Sequence, residues 1–229
     1  DFKLGELWFA DLTGPFILSW DKKLYNLTVM EAKSRFVMTF TLPSKDKIKV
    51  VNALIVLYDW VENRKSTMLH ISFIGRFHTD YGGEFVNGLM ESFVQKKNIA
   101  HTTSSAYSHC MNSWIERYFR SLRAMRKATL LTSNCPKNMW SAIDKRCAFI
   151  RNCLGYPHLD PITEKCPIFM WEQKMPSLKY LLEFWAPVYP ITDAYVRKQD
   201  FSNKTKMYCY LCMEEFQIGN RIYDESNNS

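Results

Sequence analysis

No apolar run in this chain reaches the roughly 18 residues that a membrane-spanning helix needs. No charged-then-apolar leader opens it, so no secretory segment is expected. Its seven cysteines are odd in number and irregular in spacing, which argues against a disulfide framework and for reduced thiols inside a cell. Cys209-x-x-Cys212 is the one suggestive pair, but a structural zinc ion needs four ligands, and neither a second Cys-x-x-Cys nor a His-x-x-x-His follows. No zinc site is therefore expected, and the five histidines are scattered. Internal repeats and low-complexity tracts are absent too.

What is present is a globular composition. Hydrophobic residues make up 47% of the 229 and aromatics 15%, enough for a substantial core in one or two domains. The net charge of +7 and a pI near 9.0 favour an acidic partner such as nucleic acid.

The pattern along the chain reads as strands, then alternating helices and strands. Residues 7–16 read as a strand ending near Asp11 and a Gly-Pro turn. Residues 24–30 and 36–42 read as two further strands of an antiparallel meander. Ser44 is a candidate N-cap, with Asp46 in the first turn of a helix running to about residue 62. A strand-like run at 68–77 leads into His78-Thr79-Asp80. A helix over 87–97 with Leu89, Phe93 and Val94 inward, and a short strand over 99–103, follow. A third helix over 112–131 has an apolar stripe at Ile115, Phe119, Leu122 and Met125. Arg117, Arg120, Arg123, Arg126 and Lys127 lie off that stripe, as a solvated face or one that tracks phosphates. Residues 136–153 read as a further helix, and 155–177, with four prolines, as a linker holding one short helix at 167–172.

Three acids are singled out by position. Asp11 and Asp80 each end a strand-like run, and Glu116 lies early in the basic helix. Sixty-eight residues separate the first two and thirty-five the last two. A carboxylate at the end of a buried strand is costly unless paired, and a cation is the usual partner. Glu84 and Asp59 read as ordinary surface acids.

This constellation resembles the D-D-E core of retroviral and retrotransposon integrases. Asp11-Leu12-Thr13-Gly14-Pro15-Phe16, Asp80-Tyr81-Gly82-Gly83-Glu84-Phe85 and Trp114-Ile115-Glu116-Arg117 are similar to the corresponding words of copia-type elements. The resemblance runs nearly end to end. It implies an α/β, RNase H-like fold: a mixed five-stranded sheet with helices on both faces, then a helical linker and a small SH3-like β-barrel. The implied boundaries are a catalytic core over 1–153, a linker over 154–177 and a barrel over 178–229. The chain is then expected to be part of a longer polyprotein.

The resemblance also implies an activity. Asp11, Asp80 and Glu116 would be catalytic and would hold two Mg²⁺ (or Mn²⁺) ions. Water would trim a 3′ end of the element's DNA, and the new 3′ hydroxyl would attack target DNA. No covalent enzyme intermediate arises, so a Ser/His/Asp arrangement is not needed. Candidate contacts to double-stranded DNA are Arg117, Arg120, Lys127, Lys204 and Lys206, with Tyr81 and Trp114 bordering the site. A homo-oligomer acting in the nucleus is implied, with neither a membrane nor a small-molecule substrate.

The chain also departs from the family pattern. Ser113 stands where glycine usually precedes the glutamate helix, residues 104–108 lack the usual prolines, and Phe119 replaces a common Asn. Tyr208 and Cys212 occupy glycine positions, where a positive φ would cost about 1 kcal/mol or more each. Two alternatives therefore stand beside the integrase: a DNA-binding remnant without catalysis, and a plain RNase H-type nuclease.

Overall fold

A computed structural model describes residues 2–104, 109–155, 166–179, 181–190, 206–213 and 220–225; side chains at 109–112 and 213 are outside that description. Strands β1 (Leu7–Thr13), β2 (Tyr25–Glu31) and β3 (Val37–Leu42) form the antiparallel meander. Helix α1 (Lys47–Lys65), β4 (Arg76–Thr79), α2 (Gly88–Lys97) and β5 (Ala100–Thr103) follow. The sheet order is β3-β2-β1-β4-β5, with β4 and β5 parallel to β1. Helix α3 (His109–Ser133), a 3₁₀ turn (Lys137–Met139), α4 (Trp140–Cys153) and the short α5 (Pro167–Glu172) complete the expected mixed α/β architecture.

Alternation along β1 divides the core. Trp8 and Ala10 face α1, α2 and Trp171 of α5, whereas Leu7 and Phe9 face α3 and α4. Side chains therefore cover the sheet on both sides, as parallel pairing demands.

Four local expectations change. The run at 68–77 is strand only from Arg76. Before that the chain is a loop that sinks Ile71 and Ile74 separately and hydrogen-bonds to Leu4 and Glu6 through Ser72 and Gly75. Asp46, not Ser44, caps α1, its carboxylate accepting from the Ile48 N–H. Met90 rather than Leu89 is buried on α2, because it lies three and four residues before the buried Phe93 and Val94 and so shares their face; the helix starts at Gly88, with Asn87 as its cap. Tyr208 and Cys212 lie in an extended strand, and neither has a positive φ, so the expected strain is absent.

Near the C-terminus, β6 (Pro187–Val188), β7 (Tyr208–Met213) and β8 (Asn220–Tyr223) form a three-stranded antiparallel sheet. Cys209, Leu211, Cys212 and Tyr223 join the apolar cluster of α3 and α4. Much of the expected barrel, at 191–205 and 214–219, lies outside the described residues.

Candidate active site

Register and alternation place the first two acids. Parallel pairing matches Phe9 with His78 and Ala10 with Thr79, so Asp11 and Asp80 come next on adjoining chains. Asp11 shares strand parity with Leu7 and Phe9, the residues facing α3, and Asp80 shares it with His78. Glu116 stands on α3 itself, in its exposed surface, one residue beyond the buried Ile115. Two elements of the sheet and one helix thus direct an acid each toward the same rim.

Two turns hold the strand ends. Gly14 has φ +135°, and a Cβ there would meet the Leu24 carbonyl oxygen at 2.7 Å, so only glycine fits after Asp11. After Asp80, the Gly82 N–H donates to Asp80 Oδ1 at 3.3 Å, and the fully buried Phe85 pins the turn to the core.

That second turn brings in an acid that the sequence reading set aside. A Cβ on Gly82 would lie 2.8 Å from the Glu84 carboxyl and 3.2 Å from Asp80 Oδ1. Glu84 is half-buried beside Asp80 rather than a free surface residue. The four-residue interval across a Gly-Gly turn was the available signal.

The acids repel one another. Burial, then the Asp80 carboxylate, push the Asp11 carboxyl up to about 7, with Glu116 and Glu84 adding to the rise. A backbone hydrogen bond from Leu12 opposes it. Asp80 is raised as well, first by burial and then by Glu84, against the Gly82 N–H. Among the described residues, no three of His, Cys, Asp and Glu are gathered tightly enough to form a finished metal cage. The acids converge without closing. Their oxygens are nevertheless the hard donors that Mg²⁺ or Mn²⁺ takes, and positive charge at Asp11 would relieve the repulsion there, so the donor set fits such an ion.

The other expected contacts divide. Arg117, Arg120, Arg123 and Lys127 are exposed along α3, and Tyr81 is 72% exposed next to Asp80. Trp114 is half-buried, edge-on to Phe9, with the Arg35 guanidinium over its ring. Arg126 is not on the basic face. Its Nε and Nη2 donate to the fully buried Asp144 at 2.7 and 2.6 Å, and Asn26 donates to the same carboxylate. This clamp ties α3 to α4 and β2. Lys206 is engaged with Asp224 at 2.6 Å, and Lys204 lies outside the described residues.

Residues 3–109 match the family model described as "Integrase core domain". That stretch is an integrase core of the retrotransposon kind. The chain is 26% identical over 203 residues, 89% of its length, to the Retrovirus-related Pol polyprotein from transposon RE2 of Arabidopsis thaliana. It is 30% identical over 151 residues, 66% of its length, to the corresponding polyprotein from transposon RE1 of the same plant. The chain spans only 13% and 10% of those two relatives. The fold of the HTLV-2 integrase catalytic core domain in complex with magnesium superposes with a TM-score of 0.54 at 13% identity. That match covers 75% of this chain and 99% of the HTLV-2 core. The integrase core thus accounts for the sheet and for both turns that carry Asp11 and Asp80.

Proposed function

We propose that this chain is the catalytic region of a retrotransposon integrase, which trims DNA 3′ ends and joins them to target DNA through Asp11, Asp80 and Glu116. The observation that carries the reading is the parallel pairing of β1 with β4, which delivers Asp11 and Asp80 to one rim below the exposed flank of α3. A pair of divalent ions, when bound, would activate the attacking oxygen and stabilise the leaving one. Asp11 and Asp80 would hold the shared ion, and Glu116 would complete the shell of the second. Partial burial and the neighbouring Asp80 charge push the Asp11 carboxyl up to about 7, and a cation beside it would offset that repulsion.

The exposed Arg117, Arg120 and Lys127 would hold the duplex through its phosphates, beside Tyr81 and Trp114. Double-stranded DNA is the substrate in this reading, the site of action is the nucleus, and the working unit is a homo-oligomer. The HTLV-2 core is described in dimeric and trimeric forms. In this reading residues 154–177 serve as a linker whose short helix α5 is anchored to the core through Trp171, and 178–229 as an SH3-like domain.

The deciding experiment offers the chain a 3′-OH oligonucleotide and a plasmid in Mg²⁺ or Mn²⁺. Joining that disappears in Asp80→Asn supports the integrase. Salt-sensitive DNA binding without joining or cutting would instead establish a non-catalytic remnant, and cutting of RNA·DNA hybrid without joining would establish a nuclease. In the binding arm, Arg120→Ala should lower the slope of log K against log salt by about one.

A further inference from the structure

The end of the sheet that carries the acids also gathers lysines from two other segments. Register sets Thr13, Asn26 and Thr41 side by side, so β3 runs the same way as β1 and ends, at Leu42, on the acid side. Strand geometry puts Leu42 about 10 Å to the side of Asp11, two strand spacings away, and about 10 Å further along. There the loop between β1 and β2 meets the turn between β3 and α1, the Leu24 N–H donating to the Leu42 carbonyl at 2.9 Å. The loop presents Lys22 and Lys23, and the turn presents Lys45, Lys47 and Lys49. All but the half-buried Lys23 are exposed.

Their charge is not spent inside the fold. Among the described residues, none of these five lysines forms an ion pair. The two acids of the same segments have other work. Asp21 accepts from the Ser19 and Ser141 hydroxyls at 2.6 and 2.7 Å, and Asp46 caps α1 at 2.7 Å. Five lysines against two aspartates leave a net charge of +3.

The loop is also fixed in place. The buried Ser19 accepts from the Lys22 N–H through its carbonyl, at 3.0 Å, and from the Lys23 N–H through its hydroxyl, at 2.7 Å. The Trp20 N–H donates to the Asn138 carbonyl at 3.0 Å, and the Trp140 indole donates to the Ile17 carbonyl at 2.7 Å. Phe16 packs on Trp140 and under the Arg126 guanidinium, 4.8 and 4.6 Å from its ring centre. These ties join the loop to α3 and α4, so its lysines extend the basic surface of α3. Charges on an ordered backbone lose less freedom on binding than charges on a loose tail.

We infer that Lys22, Lys23, Lys45, Lys47 and Lys49 form a second contact for duplex DNA, holding phosphates of the stretch that leads away from Asp11. The inference rests on the integrase reading for what brings DNA to this rim. A duplex carries about one charge per 1.7 Å of axis, so the roughly 14 Å between Asp11 and the platform spans about eight phosphate charges, enough for every lysine. Continuity with the acids favours DNA over an acidic protein.

The test is metal-free binding of a blunt duplex to the 229-residue chain across a salt series. Changing Lys45→Gln, Lys47→Gln and Lys49→Gln together should lower the slope of log K against log salt by about two to three. In the unaltered chain, amine-acetylation footprinting should show Lys22, Lys45, Lys47 and Lys49 protected by the duplex. Lys33, exposed in the turn at the opposite end of the sheet, should stay reactive. An unchanged slope in the triple variant, while Arg120→Ala still lowers it, would overturn this proposal and leave the integrase reading standing. No salt-sensitive binding by the unaltered chain would overturn both. Protection of the platform no greater than that of Lys33, or equal protection by polyglutamate, would also overturn it, the latter by assigning the surface to an acidic protein.

Discussion

The sheet carries carboxylates at two opposite ends, fully buried at one and half-buried at the other, and they are treated in opposite ways. Glu31 ends β2 beside the start of β1, paired with Trp8, and is fully buried. Its two oxygens accept from the N–H groups of Gly5, Lys33 and Ser34 and from the Ser34 hydroxyl, all neutral donors. Ser34 in turn accepts from the Trp171 indole, which fastens α5 to the core. At the far end of β1, Asp11 faces other carboxylates instead, and Asp80 keeps one long hydrogen bond. Burial raises both Glu31 and Asp11, but only at Asp11 do neighbouring charges add to it. A carboxylate wrapped in donors is a fastening. Carboxylates that crowd one another have some other reason to be together, and removing one should relieve the fold rather than harm it.

The most damaging single change for catalysis should be neutral for stability. Asp80→Asn is expected to lower DNA joining on the order of a thousandfold, the worth of several kcal/mol of metal-assisted stabilisation. Its melting temperature should stay level or rise. A variant that loses both activity and several degrees would erase the distinction between the two ends.

Glu31→Gln should do the reverse. The amide offers one acceptor oxygen and turns an NH₂ toward N–H groups that now have nothing to donate to. A loss of about 1–3 kcal/mol follows, or roughly 2–10 °C in melting temperature for a chain of this size. DNA joining measured below the transition should be unchanged. Calorimetry and the joining assay on both variants form a two-by-two comparison in which each substitution moves only one readout.

This contrast was half legible in the sequence. Asp11 and Asp80 could be found because a strand-end acid before a glycine turn is a local signal, and the order of elements followed from alternation and helical spacing. Glu31 could not be singled out, since three of its four donors come from a turn and the fourth from Gly5, twenty-six residues earlier. Arg126 was misplaced for the same reason: helical spacing put it on the open face, while its partner Asp144 lies on another helix. Glu84 needed the geometry of Gly82 to move it from the surface into the site. Periodicity reports which face a residue occupies, and it is blind to polar partners supplied from a distance.

The subtlest effect is in the pH dependence of stability. Unfolded Asp11 ionises near the ordinary aspartate value of 3.8, and in the fold burial and the neighbouring carboxylates push the same group up to about 7. Below pH 4 both states hold the proton, and Asp11 contributes nothing. Between about 4 and 7 the folded state binds the extra proton, so stability falls as pH rises; above 7 the penalty is complete. Asp11→Asn removes it. The variant should match the parent at pH 4 and exceed it by about 1 kcal/mol at pH 8, a figure reduced for the partial solvent access of the group. Glu31 titrates alike in both chains and cancels from the difference, so the widening gap isolates the acid-facing end. Millimolar Mg²⁺ at pH 8 should narrow it, because a cation offsets the repulsion in the parent and has less to offset in the variant. A gap that is flat with pH, measured by denaturant titration without metal, would mean that Asp11 is no more crowded than an ordinary strand-end acid.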